Sequence, residues 1–192
     1  MPRWVPNAIT VLRIVLIPLW WLQASACVEA APDGDRHRLL AIAILVAIGI
    51  SDMVDGFIAR RFGLATPFGA VLDAVADKLA QIALLVFLTF FGGAAFASVP
   101  LGFFVLIIAR DVVLAGGTLL VRARRSDVAV THEFHGKLSS LLLFCLLFAL
   151  TAGAPDEWTL PVFWGLGLVV FASTFAYVRR GWKQWRGPAA AG

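Results

Sequence analysis

Charge is scarce in this chain. Only 15% of its 192 residues are Asp, Glu, Lys or Arg, against 60% hydrophobic residues, and the mean hydropathy is +0.88. A water-soluble domain needs more polar surface than this, so that class is excluded. Strict alternation of apolar and polar residues is also missing; the apolar residues come in continuous runs, which excludes a transmembrane β-barrel. Cysteine is rare: Cys27 and Cys145 sit in or beside apolar runs without a metal-ligand spacing, and read as small buried hydrophobes rather than a disulfide. The cations form no single stripe. A net charge of +4 and a pI of about 9.7 therefore point to an anionic membrane surface, and no nucleic acid is expected as a partner.

What the chain does have is apolar stretches, near residues 9–26, 39–58, 68–91, 100–121, 138–152 and 160–177. Most are close to the about 20 residues a helix needs to cross a bilayer. The expected fold is an all-α integral membrane protein of six transmembrane helices, a single membrane domain over residues 1–192. Lys and Arg concentrate on the cytoplasmic side of membrane proteins. Arg3, Arg60, Arg61, Arg122, Arg124, Arg125, Lys137, Arg179, Arg180, Lys183 and Arg186 all fall on one side of these spans, which predicts that both termini are cytoplasmic. On the other side Arg36 and Arg38 are balanced by Glu29, Asp33 and Asp35. Ala24-Ser25-Ala26 before Cys27 has the look of a leader cleavage site, but Arg13 interrupts the apolar stretch, so a retained first span is expected.

The anomaly is acidic. Asp52, Asp55, Asp73, Asp77 and Asp111 lie inside the spans or at their cytoplasmic ends. An Asp at the centre of a membrane helix costs roughly 2.5–3.5 kcal/mol on insertion scales, so something must offset four of them. Asp52 and Asp55 are three apart and Asp73 and Asp77 four apart, so each pair projects from one helical face. A break from Gly63 to Pro67 lets the chain reverse between the pairs. Four converging carboxylates cannot all ionise without cations between them, and hard oxygen ligands favour Mg²⁺ or Mn²⁺. Gly56 leaves backbone room beside Asp55, Arg60 offers a planar fork for phosphate, and Gly69 opens the facing helix.

These residues spell Asp52-x-x-Asp55-Gly56-x-x-Ala59-Arg60, then, after eight residues, Gly69-x-x-x-Asp73-x-x-x-Asp77. The pattern resembles the signature of the CDP-alcohol phosphatidyltransferases at all its specified positions. Pro6-Asn7-Ala8-Ile9-Thr10-Val11-Leu12-Arg13 and Ala76-Asp77-Lys78-Leu79 are similar to the bacterial branch that holds phosphatidylglycerophosphate synthases and CMP-forming cardiolipin synthases. The resemblance implies a six-helix, usually homodimeric fold in a bacterial inner membrane, with its active site on the cytoplasmic side. It implies two divalent ions held by Asp52, Asp55, Asp73 and Asp77, with Asp77 also the general base. Gly56, Arg60 and Gly69 would contact the CDP moiety of CDP-diacylglycerol.

The acceptor is read from other residues. Glycerol 3-phosphate needs further cations, and Arg110 and Lys137 are the candidates, with Lys78, Arg124 and Arg125 behind them; Arg110 has the alternative of pairing with Asp111. Arg125-Ser126-Asp127-Val128-Ala129-Val130 and Gly136-Lys137 look like phosphatidylglycerophosphate synthases. Ser139 and Leu143 depart from that pattern, and Arg110-Asp111 with Gly116-Gly117 looks like cardiolipin synthases, whose acceptor is phosphatidylglycerol. Glycerol 3-phosphate is the favoured acceptor. From another class, a transporter with a carboxylate relay would also place acids in the membrane, but it has no need of ordered Gly, Ala and Arg between them.

Overall fold

A computed structural model describes residues 5–31, 33–62, 66–124 and 134–186. The described residues form six helices and no strand: α1 (Val5–Glu29), α2 (Asp35–Arg61), α3 (Pro67–Phe90), α4 (Leu101–Arg124), α5 (Phe134–Thr151) and α6 (Asp156–Arg186). Each expected span falls on one of them. The largest difference is at the end of α6, which runs to Arg186 rather than stopping near Tyr177. Asn7–Glu29, Asp35–Ile58 and Glu157–Arg179 are clearly long and apolar enough to cross a membrane. The chain is an integral membrane protein with an all-α fold. Two compact units make it up, Met1–Val99 with Leu147–Asp156, and Pro100–Leu146 with Glu157–Gly192.

In the first unit α1 packs against both α2 and α3. Its buried positions explain why. Thr10, Arg13, Ile17, Trp20, Ala24 and Cys27 recur at intervals of three and four, which puts them in one stripe along the helix. Ala41, Leu45, Ile48 and Ser51 are buried on α2, and Ala76, Ala80, Leu84 and Leu88 on α3. Lipid tails are as apolar as these side chains, so close packing and polar contacts hold such helices together; Ala24, Ala41, Ala76 and Ala80 let the backbones approach. Ile17, Ile48 and Ala80 form one apolar layer, flanked by Leu16, Ile44 and Ala83. That layer lies about one turn from Arg13, Ser51 and Asp77 along their helices.

The opposite end of this unit is aromatic and tightly turned. The Phe87 ring meets Trp20 and Trp21 edge to face, with centroids 5.3 and 5.1 Å away, and Phe96 at 6.1 Å; pairs of this kind add about 0.5–1.5 kcal/mol each beyond their area. Gly34 permits the turn from α1 to α2, because a Cβ there would stand 2.6 Å from the Cys27 carbonyl oxygen. Arg38 donates through Nη2 to the Ala95 carbonyl at 2.6 Å and lies over the Phe96 ring. The second unit is also built on aromatic and glycine contacts: Phe103 meets Phe163 edge to face at 5.0 Å, and Gly117 lies against the Tyr177 ring. Both cysteines are free; Cys27 is buried as expected, whereas Cys145 is exposed on its helix.

Candidate active site

The site forms where the acidic turns of α2 and α3 meet the polar first turns of α1. Thr66 caps α3, its hydroxyl accepting from the Gly69 N–H at 3.0 Å, with Pro67 at the first helical position. That cap sets where α3 begins, and Asp73 and Asp77 follow on successive turns. On α2, Asp52 and Asp55 follow Ser51, whose hydroxyl donates to the Ile48 carbonyl at 2.7 Å.

The guanidinium of Arg13 on α1 reaches all four aspartates. Nη2 lies 3.2 Å from Asp52 Oδ1 and 2.7 Å from Asp55 Oδ2, and Nη1 lies 2.9 Å from Asp73 Oδ1 and 2.6 Å from Asp77 Oδ1. Nε donates to Ser51 Oγ at 3.5 Å. One terminal nitrogen thus serves the pair on α2 and the other the pair on α3. Thr10, one turn before Arg13, donates to Asp55 Oδ2 at 3.3 Å. The Arg13 side chain is 1% exposed and Asp55 4%, while Asp52, Asp73 and Asp77 are between 41% and 50% exposed. The cluster therefore has a buried floor of Arg13 and Asp55 and an accessible rim of three carboxylates.

Two observations test whether a divalent ion fits. Oxygens of Asp52, Asp55 and Asp73 lie within 4.8 Å of one another, a separation that one or two cations can bridge. Asp55 Oδ1 is also buried with no hydrogen-bond partner among the described residues. A buried anionic oxygen left without a donor is costly, and a cation would satisfy it. Four carboxylates face a single guanidinium, which supplies too little positive charge to let all of them ionise. The residues fit hard divalent cations, and Asp77 stands outside the close triad.

The other expected site residues are distributed as follows. Gly56 is on α2 beside Asp55, and Gly69 is in the first turn of α3. A Cβ on Gly69 would lie 2.8 Å from Asn7 Oδ1 and 3.0 Å from Thr66 Oγ1, so this glycine lets α1 and α3 approach. Lys78 donates to Gln81 at 3.2 Å on the same helix. Arg110 belongs to the second unit, buried, with Nη1 3.6 Å from Asp111 Oδ1. The side chains of Arg60, Arg124 and Lys137, and the whole of Arg125, lie outside the described residues. Arg13 and Thr10 are the participants that the aspartate spacing did not indicate. Their signal was a polar interruption in the otherwise apolar stripe of α1.

Residues 3–176 match the family model described as CDP-alcohol phosphatidyltransferase. The chain belongs to that family. This membership replaces the carboxylate-relay alternative with an enzyme class, the CDP-diacylglycerol-dependent phosphatidyltransferases. Among relatives, it is 30% identical over 190 residues to the CDP-diacylglycerol–glycerol-3-phosphate 3-phosphatidyltransferase of Pseudomonas fluorescens, covering 94% of this chain and 91% of the relative. It is 32% identical over 191 residues to the enzyme of the same name from Bacillus subtilis strain 168, covering 93% and 95%. A CMP-forming cardiolipin synthase from Oryza sativa subsp. japonica is 40% identical over 83 residues, 43% of this chain and 23% of that one.

Proposed function

We propose that this protein transfers the phosphatidyl group of CDP-diacylglycerol to glycerol 3-phosphate, releasing CMP and forming phosphatidylglycerophosphate. The observation that carries the chemistry is the convergence of Asp52, Asp55 and Asp73 oxygens within 4.8 Å, with Asp77 beside them on the same guanidinium. The choice of acceptor is supported by relatives of that name matching over more than nine-tenths of the chain.

Asp52, Asp55 and Asp73, with Asp77, would hold two divalent ions, Mg²⁺ or Mn²⁺. When bound, such ions neutralise the pyrophosphate of the donor and the charge on departing CMP. The acceptor hydroxyl attacks the phosphorus on the lipid side of the pyrophosphate, forming a new P–O bond, and the bond to the CMP oxygen breaks. An alcohol is a poor nucleophile near neutral pH, so a carboxylate must take its proton as it attacks. Asp77 is assigned as that base because it is half-exposed, where a polar acceptor can reach it, and because it is outside the close triad. Gly56, Arg60 and Gly69 accommodate the CDP moiety, and Arg110 and Lys137 receive the acceptor phosphate. The acyl chains stay in lipid while the donor's headgroup and the polar acceptor meet at the membrane surface. The protein works as a homodimer in a bacterial inner membrane with its termini and site on the cytoplasmic side, consistent with the distribution of Lys and Arg.

The deciding experiment incubates the purified protein with CDP-diacylglycerol and, separately, glycerol 3-phosphate, phosphatidylglycerol, inositol phosphate or serine, with Mg²⁺ or with EDTA, and identifies the lipid product by mass. Phosphatidylglycerophosphate and CMP are expected with glycerol 3-phosphate and Mg²⁺ alone. Cardiolipin from phosphatidylglycerol would reassign the acceptor, and undiminished product in EDTA would sink the metal assignment.

A further inference from the structure

We propose that Arg13 is a resident counter-cation of the site: it holds the four carboxylates together in the ion-free protein and competes with divalent ions for them, thereby setting how tightly the site takes its metal. The inference rests on reading the aspartate cluster as a divalent-cation site.

The guanidinium is used in full. Arginine has five N–H donors in a fixed fork, and Arg13 meets five acceptors: Ser51 through Nε, Asp52 and Asp55 through Nη2, and Asp73 and Asp77 through Nη1. It touches all three members of the close triad, so a cation bound there must share or replace those contacts. The packing of α1 on both α2 and α3 places this one side chain between the two acidic pairs. Without it, four like charges would face each other with nothing between, and repulsion would drive the two acidic turns apart.

The charges themselves leave room for a metal. One positive charge among four negative ones cannot neutralise the cluster, and Asp55 Oδ1, buried and untouched by Arg13, is an oxygen from which a cation displaces no donor. The contacts of Arg13 thus hold the carboxylates together without satisfying all of their oxygens. Lysine could not do the same, because a compact ammonium with three donors cannot span two carboxylate pairs and a hydroxyl.

The test compares full-length wild type, Arg13→Gln and Arg13→Lys in detergent by two readouts that need no substrate. Thermal unfolding is measured in EDTA and in saturating Mg²⁺, and Mn²⁺ binding is measured by titration calorimetry. A ligand that binds only the folded state raises its melting temperature. Arg13→Gln is expected to lose far more stability in EDTA than in Mg²⁺, and to bind Mn²⁺ on the order of tenfold more tightly than wild type. Arg13→Lys should fall between. Recovery of Arg13→Gln only when Mg²⁺ is present would also support the proposal. Equal destabilisation with and without Mg²⁺, or Mn²⁺ affinity that is unchanged or weaker, would reduce Arg13 to a packing role and overturn it. If Arg13→Gln cannot be isolated in either condition, Arg13→Lys decides by the same two criteria. Wild type that binds no Mn²⁺ would remove the metal site itself and the proposal with it, whereas wild-type binding with unchanged affinity in the variants removes the proposal alone.

Discussion

Asp55 and Asp77 are chemically identical side chains placed in different surroundings. Asp55 is buried on the floor of the cluster, shares Oδ2 between Thr10 and Arg13, and has an Oδ1 with no hydrogen-bond partner among the described residues. Asp77 is on the rim, half-exposed, with one oxygen on Arg13. In the proposed function the first serves as a metal ligand, and the second is a ligand that also meets the acceptor. Asp77→Asn keeps the shape and the capacity to accept a hydrogen bond from Arg13 but removes the base. We expect CMP release to fall by roughly 10²–10⁴-fold, the usual contribution of a general base, while the variant still unfolds cooperatively. Turnover equal to wild type would withdraw the base assignment from Asp77.

The helices themselves carry this division. α3 begins at a cap in which Thr66 accepts from Gly69, and Asp73 lies two turns beyond it. Replacing a capping Thr by Ala typically costs about 1 kcal/mol. Thr66→Ala should therefore lower the melting temperature and, by loosening the start of the helix that positions Asp73, lower turnover; Thr66→Ser should preserve both. Thermal unfolding and CMP release measure the pair, and a Thr66→Ala protein indistinguishable from wild type would show that the cap does not anchor α3. The six helices were legible in the sequence because long apolar runs in a membrane protein admit few other structures. The aspartate pairs were legible because a spacing of three or four fixes a shared face before any tertiary contact exists. Arg13 was not. Its partners lie 38 to 64 residues away, and along its own helix it reads only as a charge in the wrong place. Gly69 was read as room for a ligand, whereas its position against Asn7 also makes it a point where α1 and α3 approach. No local pattern distinguishes those two reasons for a glycine.

For the molecule as a whole, the proposed orientation, argued from the asymmetry of Lys and Arg, puts the site at the cytoplasmic surface. A membrane-impermeant thiol reagent added to intact cells should then label Asp33→Cys, between α1 and α2, and spare Phe62→Cys, at the end of α2, each in a Cys145→Ala background. Both positions are exposed. Labelling at 62 with protection at 33 would invert the orientation and place the donor's headgroup on the wrong side of the membrane for its supply.

Arg13 also bears on how the protein is made. As α1 enters the bilayer it brings a positive charge that insertion scales penalise by roughly 2.5–3.5 kcal/mol at a helix centre. The carboxylates that offset it are on helices synthesised later, and those helices have the mirror-image problem with their own aspartates. The charges on the first three helices thus find their partners only when those helices are together. Pairing of Arg13 with all four carboxylates is therefore complete only when α3 has joined α1 and α2.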